Sequence, residues 1–298
     1  MKAPKSISLI LGSGGARGLT HIGVIRELEA RGYVISSIVG CSMGALIGGF
    51  HAAGQLDAYE AWVTKLSEFD VFRFVDISLT SRSGMMKGDL IMDELRTLVG
   101  DIQIENLPLR FTAVATDVIN QKEVWLSRGD LFDAIRASIA IPGIFTPKII
   151  DGRTLVDGGL LNPLPVAPAT DDTTDLTIAV SLSGRDVSEP LGPNPLPARS
   201  GSIEDYRSRI EGFIDFVQTK LGVEQAGGQA EERPIPLTDV LMGMFDTMQS
   251  AISRYRLASY PPDILIDIPG NVCKTHEFYK AEQLIEAGRH WAREYLTR

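Results

Sequence analysis

Cysteine is scarce in this chain of 298 residues. Cys41 and Cys273 stand far apart, without the spacing that ligates a metal, which argues against a disulfide framework and fits a reducing, cytoplasmic setting. Positive charge is in deficit, with 29 Lys and Arg against 38 Asp and Glu and a formal net charge of −9. That balance argues against a nucleic-acid partner and against electrostatic adsorption to anionic lipid, but leaves transient apolar contact at a membrane periphery open. No apolar run approaches the ~20 residues of a membrane span. Ile7 to Leu11 is too short for a signal peptide and runs straight into glycines and Arg17. Internal repeats and low-complexity tracts are absent. What remains, 44% hydrophobic and 22% charged residues, is ordinary for a soluble globular chain with a sizeable core.

The chain is organised around Gly40-Cys41-Ser42-Met43-Gly44. Ile35 to Val39 is β-branched and reads as a buried strand. Helix-compatible residues start after Ser42 and run to Ala53, with Gly54 placed to end them. Ser42 is therefore expected on a sharp strand-to-helix turn, its hydroxyl at the C-terminal edge of a sheet beside the free N–H groups of a helix start. Gly40 and Gly44 leave room where strand and helix fold back on each other. Gly-x-Ser-x-Gly alone arises by chance in roughly one such chain in five, so its flanks carry the reading of Ser42 as a nucleophile.

In chain order, Ile7 to Leu11 is a strand, Gly12 to Gly18 a glycine-rich loop, and Leu19 to Arg31 an amphipathic helix. Strand, loop, helix and strand predict a parallel pair with the loop and Ser42 at one sheet edge. Leu56 to Phe69 reads as a helix and Val71 to Met86 as irregular. Asp89 is read as the cap of a helix to Val99. Strands follow at Phe111 to Val118 and Glu123 to Leu126, then a helix capped by Asp130 and running to about Ile139. Asp151-Gly152 marks a hairpin that leads into Asp157-Gly158-Gly159. Leu176 to Leu182 is a further strand, Gly184 to Ser202 a linker or surface loop, Ile203 to Leu221 a helix, and Gly222 to Arg233 a polar break. Leu237 to Leu257 is periodic, with Val240, Met244 and Met248 on one face, and reads as core packing or as a lid or lipid-contacting helix. Ile264 to Ile268 is a late strand and Glu277 to Leu296 a closing helix.

Acyl transfer needs a nucleophile, a proton acceptor and donors for the developing oxyanion. Ser42 supplies the first. Backbone N–H groups around Gly14, Gly15 and Ala16 can approach a substrate oxygen, aided by a helix N-terminus. The dinucleotide alternative for this loop lacks its third glycine, Arg17 standing there. His21, His51, His276 and His290 read as lying on helices rather than in a loop after a strand, where a triad histidine is expected, so they read as packed or surface side chains. Asp157, ending a strand ahead of Gly158 and Gly159, is the better base. Its reference pKa of about 3.9 requires burial to raise it.

Ser13-Gly14-Gly15-Ala16-Arg17-Gly18, Gly40 to Gly44 and Asp157-Gly158-Gly159 resemble, in order, the motifs of the patatin-like phospholipase family. Arg136 to Phe145 and Asn162-Pro163 are also similar to family motifs, and the chain looks closest to short bacterial members. The resemblance implies a three-layer α/β/α sandwich with a mainly parallel sheet, one domain over 1–298 with an insertion at 184–236. It implies lipid acyl hydrolysis by a Ser42–Asp157 dyad with Gly14 to Arg17 as oxyanion loop, without cofactor or metal. Ser13 departs from the Gly-Gly-Gly run of plant members. The expected activity is phospholipase A or lysophospholipase. Rivals are a Ser–His–Asp esterase using His276 or His290 and a regulatory protein that keeps the fold with little turnover. Arg17 either pins the glycine loop or meets a lipid phosphate, Cys41 is a small buried neighbour of Ser42, and Met85-Met86 and Ile139 to Phe145 are core or an acyl pocket.

Overall fold

Short β-branched runs alternating with glycine-punctuated helices build one sheet. In a computed structural model of the chain, residues 4–67, 70, 88–197 and 237–297 are described. The expected irregular stretch 71–86, the helix 203–221 and the break 222–233 lie outside them. The strands are β1 (Ser6–Leu11), β2 (Val34–Cys41), β3 (Arg110–Asp117), β4 (Lys122–Leu126), β5 (Lys148–Ile150), β6 (Arg153–Asp157), β7 (Leu176–Gly184) and β8 (Ile264–Pro269). Their order is β5-β6-β3-β2-β1-β7-β8, with β4 also on β3. β3, β2, β1, β7 and β8 run parallel, β4 and β6 pair antiparallel with β3, and β5 pairs antiparallel with β6.

Alternation along the central strands feeds two cores. Ile7, Leu9, Leu11, Ile178 and Val180 point into the larger one, under the helices α1 (Thr20–Ala30), α2 (Met43–Ala52) and the closing α7 (Ala281–Leu296). Ile10, Val39, Val114 and Ala179 point the other way, against Leu164, Val166 and Ala169 and against Leu257 of the helix α6 (Leu237–Ser259). Two helical layers thus sandwich the sheet, the second of them thin. Beyond α2, α3 (Leu56–Val63), α4 (Asp89–Val99) and α5 (Leu131–Ser138) extend the first layer, where Phe50 packs on Tyr59 at 4.8 Å and on Phe132 at 6.0 Å between ring centroids. Each such fully buried large apolar side chain contributes about 1.5–3 kcal/mol.

Asp130 caps α5 as the sequence predicts, accepting the Asp133 N–H at 2.8 Å. Three readings are corrected. Gly88, in the left-handed region, precedes α4, and Asp89 is its first residue rather than its cap, placed to favour the helix dipole. The helix from Leu56 ends at Val63. The closing helix begins at Ala281, after a separate turn at Phe278–Lys280, so His276 lies in the loop that follows β8. Residues 185–197, read as a linker or surface loop, are tied to α7: Trp291 Nε1 donates to the Pro190 carbonyl at 2.8 Å and Gln283 Nε2 to that of Leu196 at 2.6 Å.

α2 lies almost on β1. A Cβ added at Gly44 would fall 2.1 Å from the Leu11 carbonyl oxygen, and one at Gly40 would fall 2.4 Å from the carbonyl oxygen of Gly44. Backbone cannot give way cheaply there, so Gly44→Ala is expected to destabilise the protein by about 1–3 kcal/mol. Thermal unfolding checks this, and an unchanged Tm would contradict so close an approach.

Candidate active site

Ser42 alone joins β2 to α2, at φ 55° and ψ −122°. A non-glycine residue there carries about 1–3 kcal/mol of strain and stays only where its surroundings hold it. The Ser42 N–H donates to Ser138 Oγ at 2.9 Å, and the Ser138 hydroxyl donates to the Val114 carbonyl at 2.6 Å. The Ser42 carbonyl accepts the Ala45 and Leu46 N–H groups at 2.9 and 3.1 Å, so the turn is fixed from both ends.

Sheet register brings Asp157 to the same place. Ala113 and Val114 of β3 pair with β2 on one edge and with β4 on the other. Ala115, Thr116 and Asp117 pair with β4 and with β6. β2 and β6 therefore lie end to end along one edge of β3: Cys41 pairs with Val114, and Asp157 with the next residue, Ala115. Close packing at the junction needs Gly158, whose added Cβ would sit 2.2 Å from the Val114 carbonyl oxygen, and Gly159, whose Cβ would meet Gln249 Nε2 at 2.1 Å.

Asp157 is fully buried. Its Oδ1 accepts the Gly159 N–H at 2.7 Å and faces the Cys41 thiol at 3.9 Å. Among the described residues Oδ2 makes no hydrogen bond of ordinary geometry, so the neighbouring Ser42 hydroxyl acts on the carboxyl by proximity. Burial pushes this carboxyl up to about 7, opposed by the Ser42 hydroxyl and the Gly159 N–H. Cys41 is buried as expected, and burial pushes its thiol well up, so it stays neutral.

The glycine loop reaches the same edge. Gly15 lies in the left-handed region at φ 55°, and an added Cβ would meet Thr275 Cγ2 at 2.3 Å. Among the described residues the N–H groups of Gly14 and Gly15 have no protein acceptor, whereas the Ala16 N–H donates to the Thr275 carbonyl at 2.8 Å. That bond withdraws Ala16 from the donors expected of the loop. Arg17 pins the loop rather than pointing free: Nε donates to the Gly14 carbonyl at 3.1 Å and Nη2 to Asp246 Oδ1 of α6 at 2.8 Å. His21 holds it from beneath. A carbonyl can only accept, so its Nε2 carries the proton donated to Gly12 at 2.8 Å, and burial lowers the ring to about 4.

Ser42, Gly15 and Arg17 open into a cavity of about 650 Å³, within the size range of small-molecule sites. Its walls are apolar: Leu46, Trp62, Leu66 and Ile91, with Ile139, Ile141, Ile144 and Phe145. The last four were candidates for core or pocket, and they line the cavity; Met85 and Met86 lie outside the described residues. His276 also lines it, contrary to the expectation that every histidine sits on a helix away from such a loop. His290, on α7, packs against Trp291 instead. Asp246, Gln249 and Thr275 went unread in the sequence, and Ser138 was read only as part of the motif-like stretch Arg136 to Phe145. Asp246 and Gln249 follow a helical spacing on α6 opposite its apolar stripe, the one signal that could have found them.

The α6 stripe is the largest departure. Val240, Met244 and Met248 are exposed, while Gln249 and Ser253 are buried, so at these positions polar side chains face inward and apolar ones outward, although Leu257 still packs on the second core. Core packing is corrected for these residues. No helix among the described residues is long and apolar enough to cross a membrane. Among the same residues no group of three or more His, Cys, Asp or Glu side chains could hold a metal ion.

A strand-to-helix serine, a buried carboxyl and an apolar cavity meet at one edge of this α/β sheet. The chain belongs to the patatin-like phospholipase family, whose sequence profile matches residues 9–170. It is 40% identical to an uncharacterized NTE family protein of Mycobacterium tuberculosis strain H37Rv, over 97% of this chain and 91% of that protein. An uncharacterized NTE family protein of Mycobacterium bovis matches equally. It is also 30% identical to the lysophospholipase nte1 of Emericella nidulans, over 99% of this chain and 18% of that much longer protein.

Folding holds Asp157 protonated to about pH 7 against an ordinary carboxyl near 4. Its contribution to stability is therefore fully present below about pH 4 and lost as pH rises through about 7. Asp157→Asn, which cannot ionise, should gain in Tm over the wild type more at pH 8.5 than at pH 4.5. A difference independent of pH in thermal unfolding would refute the raised carboxyl.

Proposed function

We propose that the chain is a serine acylhydrolase cleaving carboxylic esters of lipids, of the phospholipase A or lysophospholipase type. The observation that carries this reading is the register of β3, which seats Asp157 one residue beyond the end of β2 and so beside Ser42. Asp157 accepts the Ser42 proton as Oγ attacks the acyl carbonyl, and the N–H groups of Gly14 and Gly15 hold the oxyanion. The carbon–oxygen bond to the leaving alcohol then breaks, and the alcohol takes the proton back from Asp157. Water, deprotonated by the same carboxylate, attacks the acyl-enzyme and releases the fatty acid and Ser42. A carboxylate that titrates near neutral pH is well matched to this work. The apolar walls Ile139, Ile141, Ile144 and Phe145 suit an acyl chain. The relation to nte1, named a lysophospholipase, supports the lipid class. Residues 1–298 act in this reading as one domain, with 184–236 inserted between β7 and α6.

Ser42→Ala and Asp157→Asn should each lower kcat/KM on a short-chain nitrophenyl ester by at least about 10³-fold. In the wild type kcat/KM should fall as pH drops below about 7, because a protonated Asp157 accepts nothing. Undiminished turnover in either variant, or a flat profile from pH 5 to 9, would count against the dyad. A second reading rests on His276, which lines the same cavity and could serve as base. His276→Ala should leave turnover of the soluble ester intact; its collapse would favour a Ser–His–Asp esterase.

The exposed Val240, Met244 and Met248 on α6, whose inner side lines the cavity through Asp246, are read as the transient apolar contact with a lipid surface. Met244→Asp should reduce hydrolysis of phosphatidylcholine vesicles while sparing the soluble ester. Equal loss on both substrates would remove this role.

A further inference from the structure

The parallel ladder between β2 and β3 stops at Cys41 and Val114. Carried on by one residue, its register would offer the Ser42 N–H to the Val114 carbonyl. The chain instead swings into the elbow, and the two groups are bridged by a hydroxyl. Ser138 Oγ accepts from the Ser42 N–H at 2.9 Å and donates to the Val114 carbonyl at 2.6 Å. Because a carbonyl only accepts, the Ser138 proton is committed to Val114 and its lone pair to Ser42. Ser138 and Val114 are fully buried and Ser42 nearly so, so no solvent stands ready to take over either bond.

Ser138 ends α5, and the residues after it hold the other half of the site. The Ala140 carbonyl accepts the Asp157 N–H at 2.9 Å. A three-residue stretch therefore grips the backbones of both Ser42 and Asp157, at the point on β3 where β2 leaves and β6 joins. Only the Ser42 grip is made by a side chain, so only that one is open to substitution.

We propose that Ser138 is a positioning residue whose hydroxyl, spliced between the Ser42 N–H and the Val114 carbonyl, sets the place of the nucleophile relative to Asp157. The proposal rests on the reading of Ser42 and Asp157 as nucleophile and base. Without the hydroxyl, the N–H of a strained residue loses its acceptor in a dry site, and the elbow relaxes to satisfy it. Misplacement on the scale of 1 Å costs about 10²-fold in rate. The Ser42 hydroxyl also acts on Asp157 by proximity, opposing the rise that burial causes. Cys41 faces Asp157 from β2, Ala140 meets its N–H, and Gln249 approaches its neighbour Gly159 from α6; none of these carries a charge, burial holding the thiol neutral. Drift of Ser42 should therefore move the titration of Asp157 further up.

Ser138→Ala, Ser138→Cys and Ser138→Thr test this in the full chain, with rates expressed per folded molecule. Ser138→Ala should lower kcat on the nitrophenyl ester by about 10²-fold with KM little changed, and slow fluorophosphonate labelling of Ser42 by a similar factor. The midpoint of its pH–rate profile should lie above that of the wild type. Ser138→Thr, which keeps the hydroxyl, should restore most of the rate. A Ser138→Ala protein with wild-type kcat, labelling and midpoint overturns the proposal, as does a loss that merely follows the folded fraction. If Ser138→Ala does not fold, Ser138→Cys decides: its weak donor should give an intermediate kcat, and a wild-type kcat would overturn the proposal. Full turnover by Ser42→Ala would instead bring down the underlying dyad, whatever Ser138 does.

Discussion

One edge of β3 serves two strands. β2 occupies it up to Val114 and β6 from Ala115 onward, so the last backbone pair of one strand adjoins the first of the other. Ser42 leaves β2 at this junction and Asp157 ends β6 there. Gly158, under the Val114 carbonyl, lets the chain turn away without a clash. The alignment of an alcohol with a carboxylate is thus a consequence of backbone hydrogen bonding, which is the most rigid means a fold has of setting a distance.

The same junction is dry. A fully buried carboxyl with no ion partner among the described residues is costly when charged, and that cost lifts Asp157 toward neutral pH. Stability and chemistry pull in opposite directions: the ionised state that would accept a proton is the one that folding disfavours. Strain at Ser42 belongs to the same trade, since a residue held at φ 55° must be over-determined by its neighbours. Ser138 and the α2 N–H groups that donate to the Ser42 carbonyl supply that determination.

α6 closes the structure over the glycine loop with an unusual division of faces. Asp246 takes the Arg17 guanidinium, and Arg256 meets Glu123 of β4 at 3.0 Å, so the polar side of the helix is spent on the site's edge. Val240, Met244 and Met248 face outward. Periodicity alone assigns such a stripe to the core, because the hydrophobic effect usually puts it there. Beneath Asp246, Gln249 and Ser253 lie Ser13, Arg17, Ser181 and Ser183 together with Leu164 and Leu182.

The strands, the strand-to-helix serine, the Asp130 cap and the parallel order near the N-terminus were all legible in the residues, because period, capping and glycine placement are local properties. So was the pairing of Ser42 with Asp157 as a hypothesis, through motif order. Their apposition was not, since it depends on which edge of β3 each of two distant strands takes. Likewise His276 moved from a helix to a cavity wall, Ala16 lost its N–H to Thr275, and Val240, Met244 and Met248 of α6 faced outward. Each of these is settled by a partner remote in the chain. Local sequence therefore determined the elements and the chemistry they carry, while tertiary packing alone decided which groups are dry, which donors stay free and which face of a helix meets water.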